Sequence, residues 1–221
     1  MKAIVVRIAF SEAFFKVHYT KTSRLTYPIP LPTSVAGIFG SMLGLSRREA
    51  SQRFKKYFFG AALVKGDDYR EAREIATYIL HKKKTKGVEN IHIINEPTYF
   101  ISIAGEDLDE IYAKLKRNIE YLPFGGQNDF FAKDWEVLEY KDTSFSTEIS
   151  NYLPLEWFQP LRAVRFEVLP VMHKLSPNPD FVFILDGRGK SRKKILVCEV
   201  EGKNIGLYKL EDFYCVGEWS I

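Results

Sequence analysis

Two short segments place a histidine beside basic residues: His18-Tyr19 with Lys21, and His81 with Lys82. Metal-independent RNA cleavage needs a base at the 2′-hydroxyl, an acid at the leaving oxygen and a cation at the phosphorane. Both segments hold a base and a cation. A histidine next to an aromatic or a lysine is also common where no catalysis occurs. His18, Tyr19, Lys21 and His81 therefore define a secondary, catalytic reading of the chain. His92 and His173 fall inside strand-like sequence and read as structural. No phosphate-binding Walker loop, nucleophile elbow or paired acidic metal motif occurs. Two cysteines and four scattered histidines have no zinc-ligand spacing, so neither a metal nor a cofactor is expected. Cys198 and Cys215 sit in apolar, strand-like surroundings and read as buried, reduced thiols.

Positive charge is unevenly distributed. Residues 81–86 contain four lysines and no acid, and residues 188–194 contain five basic residues and no acid. These two runs hold nine of the 32 Lys and Arg, leaving 23 against 28 acids, so the rest of the chain is net −5. Either run alone is equally well read as solvated loop charge. Two such runs together point to contact with a polyanion, nucleic acid above all.

Glycine supplies the next signal. Residues 31–45, LPTSVAGIFGSMLGL, read as a helix with Thr33 or Ser34 as N-cap. At 100° per residue, Gly37, Gly40, Ser41 and Gly44 share one side, and Val35, Ile38, Phe39, Met42 and Leu43 share the other. Glycine costs roughly 1 kcal/mol in a helix interior, so three of them weaken this helix by about 3 kcal/mol. The apolar side is a core face, and the glycine side suits close approach by another backbone. A second glycine feature, Gly125-Gly126 followed by Gln127-Asn128, follows the pattern of a helix at residues 107–121. Paired glycines there either stop the helix or turn their amides outward to cradle a phosphate.

Elements that would position these residues follow from periodicity. Residues 3–10 alternate as a first strand. Pro28, Pro30 and Pro32 make an extended entry to the glycine helix. Residues 47–59 read as a second helix, opened by a capping box of Ser46 and Glu49. A short strand spans 60–65; residues 75–80 read as strand or helix end, 91–94 and 99–103 read as strands, and the lysine run then sits at the tip of a hairpin-like protrusion. Leu108, Ile111, Leu115, Ile119 and Leu122 mark the helix at 107–121, and a strand spans 135–140. The predicted class is α+β: a ferredoxin-like βαββαβ domain over 1–141, with a protruding hairpin, and a small β-rich region over 142–221. That region reads as strands at 163–169, 181–185, 195–200 and 205–208, with run 188–194 at a hairpin tip. Apolar residues make up 46% and charged residues 27%, typical of a soluble globular chain. No apolar run approaches the ~18 residues that span a bilayer. Arg7 interrupts the apolar first ten residues, which read as a strand and not a signal peptide, so the expected location is cytoplasmic with no membrane contact.

The stretch YPIPLPTSVAGIFGSMLG, residues 27–44, is similar to the proline-rich, glycine-spaced N-terminal motif of the fifth CRISPR-associated (Cas) protein family. The glycine loop at 121–129 resembles the glycine-rich loop of the RAMP superfamily to which that family belongs. The resemblance covers most of residues 1–140. It implies a type I Cascade subunit that holds the five-prime handle of the guide RNA (crRNA) and caps the backbone of the complex. The implied partners are crRNA, the Cascade backbone subunit, the large subunit and target DNA. It further implies a hairpin thumb, which residues 77–95 would form. One branch of the family cleaves precursor RNA with a Tyr/His/Lys set, which does not map securely onto this chain. The expected RNA contacts are Arg24, Ser34, Gly37, Gly40, Ser41, Lys82, Lys83, Lys84, Lys86, Gly125, Gly126, Gln127 and Asn128.

Overall fold

The computed structural model describes the chain except residues 21–23, 67–68, 81–84, 127–129, 139, 162 and 214–221; side chains at 74–80, 85–86 and 89 are likewise outside it. His81, Lys82, Lys83, Lys84, Lys21, Gln127, Asn128 and Cys215, and the side chain of Lys86, therefore lie outside the described residues.

The chain is α+β, with three α-helices and mainly antiparallel strands among the described residues. In order these are β1 (Lys2–Phe10), β2 (Glu12–Ala13), α1 (Pro32–Met42), α2 (Arg47–Arg53), β3 (Phe58–Leu63), β4 (Glu71–Leu80), β5 (Thr85–Asn95), β6 (Thr98–Ala104), α3 (Leu108–Arg117) and β7 (Ala132–Val137). There follow β8 (Lys141–Ile149), β9 (Tyr152–Pro154), β10 (Phe158–Gln159), β11 (Arg165–Pro170), β12 (Asp180–Asp186), β13 (Gly189–Val200), β14 (Lys203–Gly206) and β15 (Tyr208–Lys209). No helix among the described residues is long and apolar enough to cross a membrane.

Strand β1 organises the main sheet. It pairs with β6 on one side, from Ala3↔Ala104 to Ala9↔Thr98. On the other side it pairs with β7, from Val6↔Val137 to Phe10↔Ala132, and at its start with β8. Strand β3 pairs with β6. Alternation in β1 feeds two cores, because successive side chains point to opposite faces. Ile4, Val6 and Ile8 join the large cluster with Phe39, Met42, Ile111 and Leu115 of the helices. Ala3 and Val5 join Phe100, Ala104, Cys198 and Val200 on the other face.

The residues beyond 141 are β-rich, and five of their strands, β8, β10, β13, β14 and β15, continue the same sheet. Strand β8 carries β13, and β15 closes on β3 through Tyr208↔Phe59 and Lys209↔Phe58. The large cluster accordingly runs from Ile4 to Phe213. Strands β11, β12 and β9 form a separate small sheet.

The hairpin is present in the backbone and is longer at its base than the expected 77–95. Strands β4 and β5 pair continuously from Glu71↔Ile94 to Leu80↔Thr85, and β2 adds to β5. Phe14, Ile91, Ile93 and Phe130 form a small core at its base.

Several local expectations shift. The N-cap of α1 is Leu31, not Thr33 or Ser34, because Pro32 occupies the first helical position, where its fixed φ and missing N–H fit. Helix α2 keeps the predicted capping box but ends at Arg53, as the chain must turn into β3 at Phe58. Helix α3 ends at Arg117, short of the expected Tyr121. The basic run 188–194 is not a hairpin tip: Gly189 onward belongs to β13, and only Arg188 lies in the turn. Gly189 and Lys190 pair with Ile149 and Glu148 of β8, and Ser191 pairs with Phe158 of β10, so the start of that segment is held in the sheet.

Candidate nucleic-acid interface

The proline segment is pinned before α1 begins. Tyr99 Oη donates to the carbonyl of Pro28 at 3.0 Å, Tyr27 Oη donates to that of Pro170 at 2.7 Å, and Ile29 and Leu31 are buried. These contacts fix where α1 starts and which face it turns inward.

The three glycines of this region have three different environments. Gly44 lies past the end of the helix at φ +74°, the left-handed conformation that glycine adopts without strain. The amide of Leu45 donates to the Gly40 carbonyl at 2.8 Å and that of Gly44 to the Ser41 carbonyl at 3.0 Å, a Schellman close. Lys114 Nζ adds a bond to the Leu43 carbonyl at 2.7 Å. Gly40 is buried against α2, where a Cβ would stand 2.9 Å from Ala50 Cβ. Gly37 is different: it is exposed, helical, and a Cβ there would meet no heavy atom within 4 Å. The single glycine face read from the helical wheel thus divides into a cap, a packing contact and one open position. Only two glycines weaken the helix interior, by about 2 kcal/mol rather than three.

Gly37 opens onto a cleft of about 200 Å³ lined by Ser34, Gly37, Ile38, Ser41, Phe124 and Gly126. The structure therefore brings together four of the expected contact residues from two segments more than 80 positions apart in sequence. Among the described residues no charged side chain lines the cleft; it presents two hydroxyls, an aromatic ring and backbone.

The glycine loop is built differently from the outward-facing amide cradle. The Gly125 amide donates to the Phe130 carbonyl at 2.7 Å, and the Gly126 amide to the Phe124 carbonyl at 3.0 Å. Neither is directed at a ligand. Glycine is required here because the loop lies against the backbone of residues 12–14: the Gly125 carbonyl accepts from Phe14 N–H at 2.7 Å, and a Cβ on Gly126 would collide with the Phe14 carbonyl oxygen. Gly126 also has φ +92°. The pair closes one wall of the cleft.

Other expected residues lie elsewhere. Arg24 sits against the hairpin, its amide donating to the Asn90 carbonyl at 3.1 Å and its carbonyl accepting from His92 at 2.8 Å. His18 and Tyr19 are exposed on the turn that Val17 and Leu25 close. Partial desolvation, then Lys16, lowers the His18 pKa, which favours the neutral imidazole.

Sequence reading missed Ile38 and Phe124 as cleft residues. Ile38 belongs to an apolar face, and Phe124 is marked only by its position before the glycines. It read His92 as structural but did not identify its partner. His92 Nδ1 bonds the Glu71 carboxylate across the hairpin base, and Tyr69 Oη bonds both Glu71 at 3.5 Å and Glu167 of β11 at 3.2 Å. Burial raises the pKa of Glu167 and of Tyr69. This network ties the hairpin base to the small sheet. It depends on strand register, which no local pattern of residues announces.

No protein-family model matches the chain. No curated protein matches it. Among solved structures, the fold is similar to a chain described as a CRISPR RNA-guided surveillance complex, with a TM-score of 0.52 at 13% identity over 93% of this chain and 89% of that one. A CRISPR protein from Archaeoglobus fulgidus gives a TM-score of 0.48 at 13% identity, covering 93% of this chain and 99% of the other. The first likeness is one of fold.

Proposed function

We propose that this chain is a guide-RNA-holding subunit of a CRISPR defence complex, one that seats the five-prime handle of crRNA in the cleft between α1 and the 124–126 loop. The observation that carries the reading is Gly37, a helix-interior glycine that leaves open space beside a cleft and serves no packing contact. Support comes from the shared fold with a component of an RNA-guided surveillance complex. The cleft has the chemistry of single-stranded RNA recognition: a ring on which a base stacks, hydroxyls to bond a base edge or 2′-OH, and bare backbone where the strand passes closely.

Within this reading, residues 1–141 are the ferredoxin-like RAMP domain. Strands β1, β3, β6 and β7 serve as its four strands, in the spatial order β7-β1-β6-β3 with antiparallel neighbours. The β4–β5 hairpin is its thumb. Residues 142–221 extend the sheet. The backbone and large subunits, and target DNA, are the further partners in the assembled complex, and the subunit itself is non-catalytic.

Photocrosslinking tests the placement. Repeat RNA carrying 5-bromouridine in the handle is bound to the full chain, irradiated and mapped by mass spectrometry. Crosslinks at Phe124 or within 34–41 are expected. Bound RNA that crosslinks only outside both segments overturns the cleft assignment.

A second reading, metal-independent processing of precursor crRNA, draws on His18, whose neutral imidazole is able to accept a proton. Incubation of the purified chain with repeat RNA in EDTA decides it; uncut RNA removes this reading.

A further inference from the structure

The basic run on β13 takes no part in the cleft. Its backbone is irregular. The register to β8 shifts between Lys190, opposite Glu148, and Ile195, opposite Ser146, leaving residues 191–194 against Thr147 alone. A bulge of this kind breaks the inward–outward alternation and re-aims side chains. Here it leaves Arg192, Lys193 and Lys194 exposed in succession, with Ser191 buried behind them and its Oγ accepting from Lys193 N–H at 3.1 Å.

Two of the five cations have intramolecular roles. Arg188 bonds Glu148 at 3.2 Å and the Gly202 carbonyl at 2.7 Å. The Lys193 ammonium stands 4.3 Å from the centre of the Trp157 ring. Lys190, Arg192 and Lys194 are exposed and make no ion pair among the described residues. One exposed ring stands beside them: Phe145 of β8, opposite Leu196, is 70% exposed.

Folding alone does not ask for this arrangement. Three like charges within five residues repel one another, and a phenylalanine in water forgoes burial. A polyanion with stackable faces resolves both. Two residues of strand span about 6.7 Å, so Lys190, Arg192 and Lys194 repeat on the scale of successive phosphates in an extended single strand.

We propose that the bulged segment of β13, with Phe145, is a second nucleic-acid surface that holds the phosphodiester backbone of a single strand. It stands on elements separate from the α1 cleft and does not rest on the function assigned to that cleft.

The test uses fluorescein-labelled oligouridylate and oligothymidylate 20-mers, which carry no repeat sequence, titrated with the full chain over a range of KCl concentrations. The variant is K190Q/R192Q/K194Q. Its control, R48Q/K55Q/K56Q, removes the same charge from exposed positions on and after α2. Three lost phosphate contacts lower the salt slope of log affinity by about 2, from roughly 0.7 per contact on single strands. Affinity at 0.1 M salt falls by tenfold to about a hundredfold on the same slope. Phe145→Ala, which changes no charge, weakens binding roughly fivefold or more at an unchanged slope. A reduced slope with both probes assigns a strand-generic contact; with RNA alone it assigns the guide, and with DNA alone a target strand. An unchanged slope with both probes, an equal loss in the control, or no binding by the parent chain overturns the proposal. Arg192→Gln, expected to lower the slope by about 0.7, replaces the triple variant if thermal unfolding shows that variant to be misfolded.

Discussion

Gly37 gives the sharpest test of the cleft, because stability and binding are expected to move in opposite directions when it is replaced. Gly37→Ala adds a methyl group that meets no heavy atom within 4 Å. The residue is helical, so nothing opposes the gain in helix propensity, about 0.5–1 kcal/mol relative to glycine. For a chain of this size each kcal/mol raises Tm by roughly 2–4 °C. Gly40→Ala has the same propensity gain, but its methyl would lie 2.9 Å from Ala50 Cβ. Overpacking of that kind costs about 1–3 kcal/mol, so the variant is expected to be the less stable of the two. Gly37→Leu then fills the cleft beside Ser34, Ser41 and Phe124 without disturbing the core. Thermal unfolding reads the first effect, and fluorescence anisotropy with handle RNA reads the second. The expected result for Gly37→Leu is a fold as stable as the parent and RNA affinity reduced tenfold or more. Unimpaired RNA binding by a folded Gly37→Leu chain would refute the reasoning, because the open glycine would then serve neither packing nor ligand.

Three further outcomes test other parts of the account. Gly126→Ala places a Cβ on the Phe14 carbonyl oxygen at φ +92°, so a loss of about 2 kcal/mol or more is expected in urea unfolding; an unchanged midpoint would mean that the loop does not lie on residues 12–14. Ser46→Ala removes the capping box with Glu49 and should cost about 1 kcal/mol with RNA affinity intact, measured by the same two assays. His173 is buried, and burial lowers its pKa from 6.5. The unfolded chain therefore binds the extra proton first, and stability is lost as pH falls from 6.5 through the lowered folded value. His173→Phe should show a shallower loss across that window in pH-dependent unfolding.

Much of the scaffold was legible because its signals are local. Alternation at residues 3–10 announced β1, three- and four-residue steps announced α3, and Ser46 with Glu49 announced the start of α2. The hairpin was only half legible: residues 91–94 read as strand, but residues 75–80 suited strand or helix end equally, and only pairing with β5 settles them as β4. Its partnership with β2, and the Glu71–His92–Tyr69–Glu167 network at its base, were not legible, since both need chain segments distant in sequence to meet. The same holds for the basic run: it was legible as charge, but the bulge that exposes Arg192, Lys193 and Lys194 arises from the register shift against β8.

The glycines show where the boundary falls. Residue types alone established that a helix with Gly37, Gly40 and Gly44 is weaker than it need be, and that Gly125-Gly126 breaks the chain after a helix. Propensity and backbone freedom belong to each residue and its immediate neighbours, so sequence suffices for them. Tertiary structure decided that Gly44 caps, that Gly40 admits Ala50, that the amides of the second pair turn inward, and that Gly37 alone faces an open cleft with Phe124 across it. What a missing Cβ is for depends on which atoms occupy the space beside it, and those atoms arrive from α2, from residues 12–14 and from the 124–126 loop only when the sheet has set its register.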